Sequence, residues 1–254
     1  MSDDYIVKPV AKALLVLITL GESERELSLP EICGLVGIPK TTVYRYLQTL
    51  VAYGFVRHDR SLDKYGPGLR IWSLGQSIWS RTRLQEVATE AMEQLRLKFD
   101  ETVNLGVIDG KEIVYIGMAE SRRALRMHAR LGGRDPIYST SLGRAIIALM
   151  PEDEWSQYLP ARLTPRTSKT IVSIAALRSD LAETERRGYA LDDGENEENA
   201  RCIGAPILDG GGRPIAAISL SVPTSRLGDD RIDHVAAEVR NTAMRISLLL
   251  GYQP

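Results

Sequence analysis

The chain has 254 residues, 44% apolar and 26% charged, with a formal net charge of −1. Such a balance is ordinary for a globular protein and excludes one that coats nucleic acid through overall positive charge. No stretch approaches a membrane span, and MSDDYIVKPV lacks the basic-then-apolar order of a secretory signal, so the expected location is the cytoplasm.

Lys8–Leu20 (KPVAKALLVLITL) is a first helix. In SLPEICGLVGIPKTTVYRYLQTLVAYGFV, Leu29, Ile32, Leu35 and Val36 share one helical face, and Val43, Leu47, Leu50 and Val51 share another. The turn at Gly37–Pro39 is too short for antiparallel packing, so the two helices cross steeply as a helix-turn-helix. Lys40, Thr41, Thr42, Tyr44 and Arg45 occupy the opening turns of the second helix, opposite its apolar stripe. A recognition helix presents groups there to base edges and phosphates in a DNA major groove. After Tyr53-Gly54, the run Phe55–Tyr65 predicts strand, charged turn and strand, a wing on which Arg57 and Arg60 can reach DNA. Residues 37–70 carry six Lys or Arg against two Asp, although residues 1–68 as a whole are neutral. Glu22, Glu24, Glu26 and Glu31 precede the turn and are expected to lie away from DNA. Residues 1–68 thus read as a winged helix domain.

Residues 69–100 read as bridging helices. Leu69–Ser80 carries Trp72 and Trp79 a helical repeat apart, to be buried in their own domain or against a second subunit. Arg83–Phe99 is amphipathic and begins the C-terminal domain. From Glu101 the pattern turns to strands: Thr102–Ile108 and Glu112–Met118 flank Asp109-Gly110, a hairpin signal. Ala124–Ala129 and Pro136–Thr140 are read as short strands, Leu142–Met150 and Ile174–Arg187 as helices. Tyr189–Asp192, Ala200–Leu208 and Ile215–Val222 follow as strands, and Asp233–Leu250 closes the chain as a helix. The fold class is α+β, with residues 101–254 a sensor-like domain and not a doubly wound sheet.

Little in the second domain could do chemistry together. Cys202 sits in a strand without a histidine nearby in sequence, and the other cysteine, Cys33, is distant, so no disulfide is expected. Three histidines and no Cys-x-x-Cys leave no metal spacing, and no cofactor is expected. Asp192–Glu198 is acidic but lacks the ligand spacing of a calcium loop. Ser139–Gly143 ends a strand and opens a helix, where free N–H groups attract carboxylates. Ser219 and Ser221 share one face of the last strand, lining either a cavity or the solvent.

The sequence resembles the IclR family of bacterial transcriptional regulators along nearly its whole length. The resemblance rests on GIPKTTVYRYLQTLVAYGFV, ETVNLGVIDGKEIVYI, STSLGRAIIA and, above all, GYALDDGENEENARCIGAPILD, in which Gly188, Asp192, Glu195, Cys202, Ile203, Gly204 and Asp209 fall at the family's spacing. It implies an N-terminal winged helix for a palindromic operator in double-stranded DNA and a C-terminal GAF-like domain for a small carboxylate effector. It also implies a homodimer or homotetramer. Effector contacts carried over are the backbone at Ser141, Leu142 and Gly143, the side chains of Asp192, Cys202, Ser219 and Ser221, and, more loosely, apolar walls at Leu125 and Met127. Asp192 is expected to accept a hydrogen bond from an effector hydroxyl, since it would repel a carboxylate. Gly66-Pro67 departs from the family's wing, and proline's missing donor predicts a short second strand there. The expectation is a regulator and not an enzyme. The rival is a thiol-based redox enzyme on the GAF-like domain, which would need a resolving thiol near Cys202.

Overall fold

Pro9 at the start of one helix and the Ser28–Glu31 pair at the start of the next fix where the N-terminal elements begin. The computed structural model describes residues 6–79 and 84–254, without the side chains of residues 75–79. Ser80 and Arg83, expected as flanks of the bridging helices, and the side chains of Ile78 and Trp79 lie outside the described residues. The chain divides into two compact units between Thr82 and Arg83, and each is described by itself.

In the first unit, α1 (Lys8–Glu22), β1 (Leu27–Ser28), α2 (Leu29–Val36) and α3 (Lys40–Ala52) precede a hairpin of β2 (Val56–Asp59) and β3 (Lys64–Pro67), then α4 (Leu69–Trp79). The Ser28 amide donates to the Glu31 carboxylate at 2.7 Å at the head of α2. Gly37 closes α2 at φ 64°, a left-handed conformation that costs other residues a steric clash. Val16, Leu20, Ile32, Val43, Leu47, Val56 and Tyr65 form the core. Leu35, expected on the buried stripe, is exposed.

The wing differs from expectation in three ways. First, β3 runs through Gly66 and Pro67, with Pro67 opposite Val56, so the second strand is not cut short. Pro67 ends the ladder, and Gly68 supplies the next donor to the Phe55 carbonyl at 2.9 Å. Second, β1 pairs with the other edge of β3, making a three-stranded sheet in the order β1-β3-β2. Third, Glu26 is carried by that added strand onto the wing, where its carboxylate accepts from Arg57. It does not stay clear of the basic side chains as its place before the turn suggested.

The second unit is a six-stranded antiparallel sheet between two sets of helices. Its elements are α5 (Leu84–Phe99), β4 (Thr102–Asp109), β5 (Glu112–Ala119), β6 (Arg134–Pro136), α6 (Ser141–Ile147), α7 (Trp155–Tyr158), α8 (Ile174–Arg187), β7 (Ala190–Asp192), β8 (Ala200–Leu208), β9 (Pro214–Pro223) and α9 (Ile232–Leu249), with strand order β6-β5-β4-β9-β8-β7. Side chains alternate between faces along each strand. Val103, Leu105, Ile203, Ala205, Ile218 and Leu220 point to one side and form a core with α5 and α9. On the other side Ala190 and Ala217 pack with α6 and α8, through Leu142, Ile146, Leu177 and Leu181.

Residues 124–129 and 136–140 are not the strands their alternation suggested. The first bends at Ala124 and Leu125 and forms no ladder, and Thr102 Oγ1 ties it by donating to the Met127 carbonyl at 2.7 Å. Pairing on the edge of β5 is instead made by β6.

Candidate functional site

Two places in the molecule gather the singled-out residues, one in each unit. On α3, the inward positions Val43 and Leu47 fix the helix's rotation, so Lys40, Thr41, Tyr44 and Arg45 are exposed and Thr42 is half-buried on the opposite face. Arg60 is exposed at the tip of the wing. The side chains of Lys40, Arg45 and Arg60 have no carboxylate partner among the described residues. Arg57 does, in Glu26. Three free guanidinium or ammonium groups can therefore answer phosphates directly, whereas Arg57 must first leave an acidic neighbour.

The second place is a cavity of about 250 Å³ on the sheet face opposite the α5–α9 core. Register explains how distant residues meet there. Asp192 lies opposite Cys202, Cys202 opposite Ser221, and Ser221 opposite Thr102; one step along, Gly204 lies opposite Ser219 and Ser219 opposite Asn104. Directly opposed residues share a face, so a polar row crosses four strands. Gly204 interrupts the row for a steric reason: a Cβ there would stand 2.6 Å from the Ser141 carbonyl oxygen. Its absence lets the start of α6 settle on β8.

Ser141, Leu142, Asp192, Cys202, Ser219, Ser221 and Met127 all line this cavity. Gly143 and Leu125 do not. The Gly143 amide donates to Thr140 Oγ1 at 3.1 Å, which satisfies it as the helix cap. Its missing Cβ serves packing, because that atom would lie 2.3 Å from the Ile137 carbonyl oxygen. Leu125 is 66% exposed on the unpaired segment before the cavity. The first helical amides have no intrahelical acceptor, and Ser141 and Leu142, which carry two of them, line the cavity.

Among the contributors that sequence reasoning missed are Asn104, Tyr115 and Arg144. Asn104 lines the floor, signalled by one amide between Val103 and Leu105. Tyr115 closes one wall, donating to Asp135 at 2.9 Å, and Asp135 is paired with Arg166 at 3.0 Å. Arg144 lies behind the wall, fully buried: it donates to Asp180 at 3.0 Å, to the Leu191 carbonyl at 2.7 Å and to Glu195 at 3.4 Å. Its signal was a charged residue inside the apolar stretch LGRAII.

Asp192 is buried, and its Oδ1 accepts from the amides of Gly194, Glu195 and Asn196 at 3.2, 2.8 and 3.3 Å. Thr167 Oγ1 and Thr170 Oγ1 hold the same loop by donating to the carbonyls of Gly194 and Glu195 at 2.6 and 2.7 Å. Burial and the adjacent Glu195 carboxylate push the Asp192 pKa well above the usual carboxylate range, against the pull of Arg144. An aspartate so raised repels an anion less than its sequence position suggested.

The pKa has a consequence for stability. With its value raised in the folded state, Asp192 binds more protons folded than unfolded between about pH 3.9 and the raised value. Stability is fully present below that window and declines as pH climbs through it. Melting temperatures measured across pH should show this decline in the wild type and a flatter profile in Asp192→Asn, whose Oδ1 still accepts the loop amides.

The Cys202 thiol is also pushed up, by burial first and by Asp192 second. A reactive thiol needs the opposite shift. Cys33 belongs to the other unit, so no resolving thiol shares this cavity.

Comparison with known proteins places the whole chain. Residues 9–60 match the IclR helix-turn-helix domain, and residues 76–248 match the bacterial transcriptional regulator IclR C-terminal domain. The HTH-type transcriptional regulator KdgR of Escherichia coli is 37% identical over 247 residues, covering 97% of this chain and 94% of that protein. The crystal structure of the Thermotoga maritima IclR superposes with a TM-score of 0.81 at 31% identity, covering 97% of this chain and all of that one. An IclR homologue from Microbacterium hydrocarbonoxydans, solved in complex with 4-hydroxybenzoate, superposes with a TM-score of 0.84 at 26% identity, over 95% of this chain and 98% of that one.

Proposed function

The chain belongs to the IclR family of bacterial transcriptional regulators, and we propose that a hydroxylated organic acid, such as a sugar acid, held in the cavity sets how tightly α3 grips its operator. The protein is a DNA-binding regulator and not an enzyme. The observation that carries the effector reading is the meeting of Ser141, Leu142, Asp192, Cys202, Ser219 and Ser221 around one 250 Å³ space. That volume suits a small metabolite. The carboxylate sits at the Ser141 and Leu142 amides, and Ser219 and Ser221 orient the remainder. The relative captured with 4-hydroxybenzoate supports a ligand bearing both a carboxylate and a hydroxyl. The raised Asp192 lets an anion approach β7, so affinity should weaken as pH rises.

On the DNA side, Lys40, Thr41, Thr42, Tyr44 and Arg45 enter the major groove, with Arg60, and to a lesser degree Arg57, on flanking phosphates. Residues 1–68 form the DNA-binding domain, residues 69–100 the bridging helices and residues 101–254 the effector domain. Effector binding must favour one quaternary arrangement over another, and α4 and α5, on either side of the division, are the elements that would carry it.

The operator is a palindrome read by a homodimer, or by a homotetramer built as a pair of dimers. Support comes from α1 and its N-cap Val7, since Val7, Val10, Leu14 and Ile18 recur at helical spacing and are each more than half exposed. An apolar stripe of this kind fits a second copy of itself across a two-fold axis. The double variant Val10→Glu, Leu14→Glu should sediment as a smaller species than wild type and lose the intact inverted repeat. An unchanged sedimentation coefficient removes α1 from the interface.

The effector reading is tested by thermal shift of the purified chain against hydroxylated and plain carboxylates. A true ligand raises the melting temperature in proportion to the logarithm of its excess over Kd. The same ligand should change operator retention in a gel-shift assay. Ligands that stabilise the protein without altering DNA binding would overturn the regulatory link.

A further inference from the structure

We propose that Asn104 is the specificity-determining residue of the cavity, reading a hydroxyl on the effector through its side-chain oxygen. The inference rests on the cavity being the effector site. Asn104 is 3% exposed and lies on β4, on the cavity floor beside Ser219. Its Nδ2 donates to Ser221 Oγ at 3.1 Å, which fixes the amide plane. Its Oδ1 has no hydrogen-bond partner among the described residues.

Buried amide oxygens are seldom left so, because an unmade hydrogen bond forfeits the water it displaced. Two side-chain donors of the surrounding wall are already engaged elsewhere. Thr102 Oγ1 donates to the Met127 carbonyl, and Tyr115 Oη donates to Asp135. On the far side, the β5 residue opposite Asn104 is Met118, which brings no N–H or O–H from its side chain. No described residue donates to Oδ1, and Asn104 lines the cavity, so a ligand hydroxyl is the donor assigned to it.

This requirement sorts ligand chemistries. A hydroxyl supplies the proton that Oδ1 lacks. A keto or carboxylate oxygen supplies only lone pairs and would face an acceptor. A methylene at the same place leaves the oxygen unpaired and also sealed from water. Sites built to hydrogen-bond a hydroxyl reject the analogue lacking it far more strongly than apolar pockets reject a lost methylene. The position on β4 is informative as well. Asp192 is on β7, three strands away in the order β4-β9-β8-β7, or about 14 Å between backbones. One hydroxyl cannot serve both residues, so the group read by Asn104 is at the end of the ligand remote from Asp192.

The test is titration calorimetry on the full-length chain with matched probes: D-gluconate against hexanoate, D-3-hydroxybutyrate against butyrate, and 4-hydroxybenzoate against benzoate. At least one hydroxylated probe should bind wild type about tenfold or more tightly than its counterpart. Asn104→Leu should reduce that ratio to about twofold or less, chiefly by weakening the hydroxylated member, while melting cooperatively without ligand. If the leucine variant does not fold, Asn104→Val, a strand-forming residue with no acceptor in its side chain, carries the same comparison. Equal affinities within every pair, or a preference that survives in a folded variant, would overturn the role of Asn104 and leave the cavity reading standing. Failure of all six acids to bind wild type would instead remove the cavity reading, and this inference with it.

Discussion

Replacing Arg144 by methionine is expected to lower the stability of residues 83–254 by about 3–5 kcal/mol, the usual cost of removing one partner from a buried ion cluster. Arg144 is fully buried, and its two terminal nitrogens serve Asp180, Glu195 and the Leu191 carbonyl. Methionine fills much of the space but leaves the Asp180 and Glu195 carboxylates facing each other without a cation. The adjacent Asp192, already raised, would be raised further. Denaturant unfolding should show a lower midpoint at unchanged slope. Adding Glu195→Gln to the methionine variant should recover part of the loss, because it removes one of the stranded charges. A loss under about 1 kcal/mol would place this cluster with exposed ion pairs, which contribute little.

The second large effect concerns DNA. Arg45→Ala should weaken operator binding by about 1–3 kcal/mol, or roughly five- to 150-fold, if the guanidinium reads a guanine edge. Its side chain is exposed on the outward face of α3 with no carboxylate partner among the described residues. Arg57→Ala should cost less than Arg45→Ala, because Arg57 must give up Glu26 before it can meet a phosphate. Gel-shift titrations at several salt concentrations separate the roles. Loss of a phosphate contact lowers the salt slope by about one, whereas loss of a base contact relaxes sequence preference. Effector-induced stabilisation should survive both substitutions. If Arg57→Ala proves the more damaging, the wing and not α3 leads recognition.

Most of the first unit was legible because its helices are long enough for the 3.6-residue period to show and are punctuated by Pro9, Gly37 and Pro39. The strand at Leu27–Ser28 was not, since two residues have no period, and Glu26 was misplaced along with it. In the second unit, the alternation of residues 124–129 reported which side chains face the same way but not whether a strand edge was available to pair with. That edge belonged to Arg134–Pro136. Asp192, Cys202, Ser219 and Ser221 could be singled out one by one, partly through the family resemblance. Their meeting depended on register between strands up to 119 positions apart, as for Thr102 and Ser221. Asn104 and Arg144 were visible only as polar residues in apolar company, which tells of burial and not of partners.

The central sheet keeps its two faces for different duties. Val103, Ile203, Ile218 and Leu220 hold α5 and α9 behind it, while the side chains around the cavity occupy alternate positions on the same strands. A codon change on the cavity side therefore leaves the backing layer untouched. On the effector reading proposed above, a duplicated copy could acquire a new effector through a few substitutions at residues such as 104, 202, 219 and 221 without first losing its ability to fold. One scaffold could in this way diversify into many sensors.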